Sequence, residues 1–589
     1  MATGLETAAS AFGIVSLAIQ LFQGCVDGYK ICHTAQRIGR DGDLLFTKLA
    51  VQRSRLEAWA HKAGLPCGPF KRLHWDPIIL ILGQQQGLLR SAKEMQDRYR
   101  LSGNGSEQQQ RAGQDVSLHN DKLRKGGSAD VMDTSSLVER LRPLFIATRS
   151  VRQNEANVIQ ESNGLVRRFT WALGGKEKME KIVAEITSLN SQLVEYLNDA
   201  DQIEFRHEVG TLFRALVSEC SATEEVEVVR MCMPADAPTA ILAAARVKKL
   251  RLALKRARHG GDKDSMANPD EPSPLTEGCK HFRSHKLVIG METQCHGMRI
   301  TTYNTTVVMV EWRTITANWD AVKEYLRDLA MLLRQASDSA FHSLPCAGYV
   351  DMQESGRFGF VYDITAFTTG ADASSVQTQS LFDLFAECPF VSLVDRIRIA
   401  CDMAEAVLQL HTAGWLHKGI CSENVRFVGA ARSNPRTIVG SNPYLVGYGY
   451  ARPDTASAAV MTELPVTAAN RDLYRHPSAR GQARQNFQMR FDMYGLACVL
   501  TELALWRQLE DVLQKHCSWA AQETLPSLNA LFGDAGFQEE LSFHIGPKFI
   551  KAIELCLAAP RSSGLGQGGG DGGLIETGVL DALRACRDS

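Results

Sequence analysis

The stretch Arg396–Phe427, RIRIACDMAEAVLQLHTAGWLHKGICSENVRF, decides how the second half of the chain is read. It begins as an amphipathic helix that ends at Gly414 and continues as a loop flanked by apolar residues. Downstream come YLVGYGYARP (Tyr444–Pro453), YRHPSARG (Tyr474–Gly481) and RFDMYGLACVLTELALW (Arg490–Trp506). The pattern there is mainly helical, from about Ser380 to the glycine tail GLGQGGGDGG at 564–573. Upstream the texture changes to short β-rich runs, KLVIG, MRITTYN, TTVVMVEWR and FGFVYDI, interrupted by the helical WDAVKEYLRDLAMLLRQ. A small sheet with one helix is expected there, followed by a helical layer.

The 589 residues exceed what one core of about 150 residues accounts for, so more than one folded unit is expected. With 44% hydrophobic and 22% charged residues, wholesale disorder and fibrous classes are excluded. Basic and acidic residues nearly balance, 65 against 66, so no global charge draws the chain to nucleic acid or anionic lipid. The 15 cysteines contain no CxxC pair, and His33, His61, His74, His342, His411 and His417 show no metal-ligand spacing, so no metal site is expected and the thiols read as free in a reducing compartment. MATGLETAAS lacks the basic start of a signal peptide, which points to an intracellular protein.

From residue 1 to about 217 the apolar spacing is helical throughout, with a polar stretch at about 102–135 read as a mobile loop. The run Ala8–Ile19 is shorter than the roughly 20 apolar residues that span a bilayer. The strongest linker is GGDKDSMANPDEPSPLTEG, 260–278. Just before it, ILAAARVKKLRLALKRARH carries Arg246, Lys248, Lys249 and Arg251 among apolar residues without an acid, a basic amphipathic helix. Such a helix either braces the domains or meets anionic lipid, where each cation contributes about 1 kcal/mol.

The loop after Gly414 resembles the catalytic loop of the protein kinase family. H-R-D-L-x-x-x-N maps onto His417, Lys418, Gly419, Ile420, Cys421, Ser422, Glu423 and Asn424. The aspartate that accepts the substrate proton in kinases is here Gly419. Gly447, Tyr448 and Gly449 occupy the positions of D-F-G, so the metal-binding aspartate is also glycine. YRHPSARG resembles A-P-E with Ser478 replacing its glutamate, and Asp492 matches the aspartate of the long buried helix. No phosphate-cradling glycine loop is visible between Lys286 and Arg299, where Gly290 and Gly297 stand too far apart. Arg313 is the basic residue nearest the expected phosphate-binding lysine, with Glu311 an equally good alignment, and Glu324 on the next helix is its expected partner. Phosphoryl transfer depends on positioning and metal-borne neutralisation. Loss of base, metal ligand and glycine loop together implies a pseudokinase. The rival is an atypical active kinase using another carboxylate such as Glu423. No cofactor is expected, ATP being the one the resemblance admits.

The N-terminal segment, with MATGLETAASAFGIVSLAIQLFQGCVDGYKIC and RRFTWALGGKEKMEKIVAEITSLNSQLVEYL, resembles the HeLo domain of filamentous fungi. That family is associated with heterokaryon incompatibility and prion-controlled cell death. The resemblance implies an N-terminal helix delivered to membrane on activation, through Ile14, Val15, Leu17, Ile19 and Phe22. Hydropathy alone allows these residues to pack a core. The expected architecture is multi-domain: an all-α HeLo-like bundle over 1–217, basic helix and disordered linker over 218–278, an α+β bilobal kinase-like domain over 279–560, and a glycine-rich tail with a short terminal helix over 561–589. The expected role is fungal cell-death signalling, a membrane-active effector under a catalytically degenerate regulator, with a non-enzymatic scaffold as the alternative. Membrane lipid on activation and protein partners or a homo-oligomer are the expected partners, without nucleic acid. The expected location is cytoplasmic, moving to the plasma membrane.

Overall fold

In the computed structural model the chain divides into two compact units, residues 1–213 with 227–237 and residues 214–226 with 238–589. The structure describes residues 3–33, 40–65, 71, 73–98, 176–234, 237–259, 279–288, 297–316, 318–336, 339–368, 376–430, 433–453, 469–480, 486–517, 525–559 and 570–587. The loop expected at 102–135, RRFTWAL, the linker 260–278 and Gly290 lie outside them.

The first unit is helical as far as it is described: α1 (Thr3–His33), α2 (Arg40–Ala63), α3 (Trp75–Arg98) and α4 (Lys176–Glu195), then α5 (Asp199–Glu219) and α6 (Thr223–Cys232), which run on into the second unit. Three-and-four spacing sets the buried face of α4, where Ile182, Val183, Ile186, Leu189 and Leu193 are covered. Helix α1 approaches α3 closely because it carries glycine at the contact. A Cβ on Gly24 would lie 1.9 Å from Gln86 Nε2, and one on Gly28 3.0 Å from Leu89 Cβ. A polar layer crosses this core. Gln85 Nε2 donates to Tyr29 Oη at 2.7 Å and Asn190 Oδ1 at 3.0 Å, while Asn190 Nδ2 donates to the Gln52 carbonyl at 2.9 Å. All four groups are buried, so each bond replaces water that cannot enter. Of the expected membrane residues, Val15 is buried, Ile14, Ile19 and Phe22 are half-buried, and Leu17 is exposed. Among the described residues no helix is long and apolar enough to cross a membrane.

The second unit opens with α7 (Thr239–His259), the basic helix, and a sheet of β1 (Lys280–Phe282), β2 (Leu287–Val288), β3 (Met298–Tyr303), β4 (Thr306–Thr314), β5 (Cys346–Met352) and β6 (Arg357–Asp363) in the order β1-β5-β6-β4-β3-β2. All neighbours are antiparallel except β1 with β5. The two-residue period of β4 sends Val308 and Val310 to one apolar cluster and Val307 and Met309 to the main core. Helix α8 (Trp319–Gln335) lies on the core face through Val322, Leu326, Leu329 and Leu333.

The helical layer that follows comprises β7 (Val376–Ser380), α9 (Leu381–Glu387), α10 (Leu393–Thr412), β8 (Trp415–Leu416), β9 (Val425–Ala430), α11 (Pro435–Val439), β10 (Pro443–Leu445), β11 (Arg452–Pro453), α12 (Met489–Leu505), α13 (Leu509–His516), α14 (Leu528–Leu531), α15 (Ala535–Ile545), α16 (Pro547–Leu557) and α17 (Gly570–Arg587). Helix α12 is buried from Phe491 to Leu505, the central post of the layer.

Two expected boundaries are corrected. The helix at 239–259 is no part of a free linker, since Ala243, Ala244, Val247, Leu250 and Leu254 enter the same core as α8 and α10. Nor does the unit end at 560: Val579, Leu580 and Leu583 of α17 are buried in that core, so the terminal helix is structural rather than a tail. The basic face is corrected as well. Arg246 and Lys249 are exposed, but Lys248 and Arg251 are buried at the turn that ends α10. A Cβ on Gly414 would lie 2.8 Å from Arg251 Nη2 and 3.1 Å from Lys248 Nζ, and Lys248 Nζ donates to the Ser218 carbonyl at 2.8 Å. Cations at a helix C-terminus meet its unsatisfied carbonyls and negative dipole end, which draws these two inward.

Candidate functional site

A cleft of about 580 Å³ in the second unit gathers the residues singled out from sequence. Its lining includes Glu311, Arg313, Lys418, Gly419, Asn424, Gly447, Gly449 and Asp492. Asp492, in the first turn of α12, fixes the loop: its carboxylate accepts from the His417 amide at 2.7 Å and the Lys418 amide at 2.8 Å, with His411 Nε2 at 3.2 Å. Lys418 takes the left-handed conformation, φ +68°, to present both amides. The buried His417 ring lies edge-on to Tyr448, centroids 4.8 Å apart, and its Nδ1 accepts from the Gly419 amide at 3.2 Å. Burial lowers its pKa to about 4, so the ring is neutral near pH 7 and the loop is held without imidazolium charge.

The two glycines differ in what surrounds them. A Cβ on Gly419 would meet Asn424 Nδ2 at 3.3 Å, a tight contact that asks the amide to give by a few tenths of an ångström. Gly447 has φ +89°, and a Cβ would lie 2.5 to 2.8 Å from the amide of Asn424. That amide is engaged, since Asn424 Nδ2 donates to the Gly419 carbonyl at 2.6 Å. A magnesium ion does not fit: the positions that would supply carboxylate oxygen are Gly419 and Gly447. Among the described residues no group of three or more His, Cys, Asp or Glu is placed to hold a metal.

Glu311 stands where the fold aims a side chain of β4 at this segment. Its Oε2 accepts from the Gly447 amide at 3.1 Å and from Tyr362 Oη at 3.0 Å, and its Oε1 accepts from the Gly449 amide at 3.0 Å. Successive amides turned on one carboxylate form an anion nest filled from within the chain. Burial pushes this carboxyl above its ordinary range, opposed by the bonds from Gly447, Tyr362 and Gly449. Arg313, two residues on and on the same strand face, donates to the Gly449 carbonyl and lies over the Tyr450 ring at 4.7 Å. Glu324 is 61% exposed on α8 and sits 3.5 Å from Arg327. Gly297 is a turn residue at φ +80°, its carbonyl accepting from the Trp312 amide at 2.7 Å. Glu423, the alternative base, accepts from Arg471 at 3.0 Å through an ion pair and is not in the cleft wall.

Sequence reasoning missed a buried carboxylate behind the cleft. Glu502 Oε1 accepts from Ser422 Oγ at 3.1 Å, Tyr474 Oη at 2.6 Å and the Leu509 amide at 2.9 Å. Burial pushes it from 4.5 up to about 8, so the native state keeps a proton that the unfolded chain releases. Its stabilising contribution is therefore full below about pH 4.5 and is lost as pH rises to about 8. Glu502→Gln is expected to remove up to about 1.4 kcal/mol per pH unit from the slope of stability in that window. Calorimetric unfolding of the full chain across it checks this, and an unchanged slope refutes it. A lone acid inside the apolar run LACVLTELALW was the available signal.

Fold and site thus define a two-unit protein, helical bundle and α+β unit, whose cleft closes on its own carboxylate. Residues 10–226 match the HeLo family, described as prion-inhibition and propagation, which supports a HeLo domain in the N-terminal part. No curated protein matches the chain.

Proposed function

We propose that the second unit is a catalytically degenerate kinase-like regulator and that the HeLo domain is the effector it controls, acting on membrane in fungal incompatibility-type cell death. One observation supports the regulator most: Glu311 fills the amides of Gly447 and Gly449, the segment through which a kinase would hold metal and nucleotide phosphates. The sheet order, the helix after β4 and the grip of Asp492 on the loop agree with the kinase resemblance. Regulation then works by population: a partner or modification favouring one arrangement of the unit shifts the hold on the effector, and a few kcal/mol of coupling suffices. The protein is cytoplasmic at rest and reaches the plasma membrane on activation.

Full-length protein with labelled ATP and magnesium is expected to transfer no phosphate to itself or to a generic substrate. Transfer abolished by Asn424→Ala would replace this reading with that of an active kinase. For the effector, Leu17 gives the clean variant because it is 45% exposed. Leu17→Asp is expected to change folding stability by no more than about 0.5 kcal/mol. It should cut dye leakage from phosphatidylserine vesicles by at least about tenfold, since a charge in hydrocarbon costs several kcal/mol. Equal leakage by wild type and variant, or none by wild type while cells are killed, defeats the membrane role.

A further inference from the structure

At the edge of the six-stranded sheet the chain sets two thiols across from each other. Strand β1 ends the strand order and pairs in parallel with β5, in the register Lys280↔Gly348. On the far side of β5, Cys346 and Gly348 face consecutive residues of β6, Tyr362 and Val361, so Ala347 is the extra residue of a β-bulge. One ladder step before Gly348 is therefore Cys346, and one step before Lys280 is Cys279. Neighbouring strands run about 4.8 Å apart, inside the span of about 4.4–6.8 Å that separates the Cα atoms of a disulfide. Both side chains lie on one side of the sheet: Cys279 and Cys346 pack on the main core, whereas Ala347 packs on the smaller cluster opposite. The strands are close here, for a Cβ on Gly348 would lie 2.0 Å from the Lys280 carbonyl oxygen. The charge of a Cys279 thiolate also reaches Cys346 and, together with burial, holds its thiol protonated.

We propose that Cys279 and Cys346 are an oxidisable pair that a hydroperoxide closes into a disulfide, pinning β1 to the sheet. Cys279 is the half-buried thiol that a small oxidant reaches first. Burial pushes it up to about 11 while Arg334 and Arg327 of α8 pull the other way, so the pair stays reduced until peroxide is abundant. The Cys279 thiolate attacks the terminal peroxide oxygen, the O–O bond breaks, and the second oxygen leaves with the thiol's proton as water or an alcohol. The Cys346 sulfur then attacks the sulfenic sulfur, the S–O bond breaks, and hydroxide leaves with the Cys346 proton as water. Two thiols and one peroxide thus give one disulfide, both electrons coming from sulfur. Before oxidation the three residues of β1 are held by their ladder and by His281 Nε2, 2.6 Å from Asp351 Oδ1. The disulfide turns this short edge strand, free to fray on one side, into a fixed one. The inference needs only the sheet and is independent of the proposed function.

Treatment of the full chain with millimolar hydrogen peroxide, blocking of the remaining thiols and mass-spectrometric mapping of an unreduced digest test it. A peptide pair joined through Cys279 and Cys346 is expected as the main linked product, cleaved by dithiothreitol. The loop closed is long, so the oxidised protein is expected to melt at least about 4 °C higher and to return on reduction. Cys279→Ser, at the half-buried position, is expected to lose both the link and the shift while melting like the reduced wild type. Cys346→Ala gives the same loss of the link if the Cys279 variant fails to fold. Absence of the link, equal linkage of either cysteine to a third, a link that leaves the melting temperature unchanged, or a shift that persists in Cys279→Ser overturns the proposal.

Discussion

Gly447→Asp, which would return a carboxylate to the kinase metal position, is expected to destabilise the second unit rather than activate it. The position has φ +89°, where a side chain costs about 1–2 kcal/mol. The new Cβ would lie 2.5 Å from Asn424 Nδ2, 2.6 Å from Cγ and 2.8 Å from Oδ1. Asn424 cannot withdraw freely, because its amide donates to Gly419 and its carbonyl accepts from Val446 at 2.9 Å. Breaking one such bond and forcing the overlap add about 2–4 kcal/mol, for a total of about 3–6 kcal/mol. At about 2–4 °C per kcal/mol the melting point should fall by roughly 6–24 °C. Gly419→Asp is the milder comparison: its Cβ would meet Asn424 Nδ2 at 3.3 Å, which need give by only a few tenths of an ångström, and the cost should stay within about 2 kcal/mol. Calorimetry of both variants, with labelled-ATP transfer assayed on the double variant, decides. Wild-type stability in Gly447→Asp together with transfer by the double variant would show that the site is two substitutions from catalysis and overturn this expectation.

That contrast was only half visible in the sequence. Two glycines at acid positions are read directly, but their inequality depends on how closely Asn424 packs against each, 3.3 Å from a Cβ on Gly419 and 2.5 Å from one on Gly447, and on the left-handed φ of Gly447, which are tertiary. The same holds on β4. Alternation predicts the strand, and a charged residue inside VVMVEWR marks something unusual. Glu311 and Arg313 are two apart and share a face, so the strand's own period cannot choose between them. The choice is made by amides 136 and 138 residues away.

Helical spacing located α7 and most of the first unit, yet not which residues of α7 turn inward. Lys248 and Arg251 are drawn to the end of α10, a partner more than 150 residues later in sequence. Gln85, in the polar-looking run GQQQG, is buried because Tyr29 and Asn190 supply its partners from other helices. A short terminal helix is expected from the sequence, but not its packing: Val579, Leu580 and Leu583 of α17 join a core built by residues far away in sequence. In each case the local pattern fixes the element, and a distant group fixes its orientation.

Glu311→Lys is expected to have the other large effect, and in the direction opposite to what kinase chemistry would suggest. A lysine here restores the residue type that pairs with nucleotide phosphates in kinases. In this fold it replaces an acceptor by a donor opposite three donors, the Gly447 and Gly449 amides and Tyr362 Oη. It also buries a second cation beside Arg313, two residues along the same face. Leaving buried donors unsatisfied costs about 1–3 kcal/mol each, and an unpaired buried charge about 3–5 kcal/mol. Part of this is relieved if the ammonium stays unprotonated, since burial lowers a lysine pKa. The expected loss is at least about 4 kcal/mol, with no gain of ATP binding by calorimetric titration with magnesium. Glu311→Gln separates charge from shape: its oxygen still accepts, so it should lose no more than about 1–3 kcal/mol. If Glu311→Lys instead folds as well as wild type and binds ATP with magnesium, Glu311 is a replaceable lysine rather than a clasp, and the non-catalytic reading falls with it.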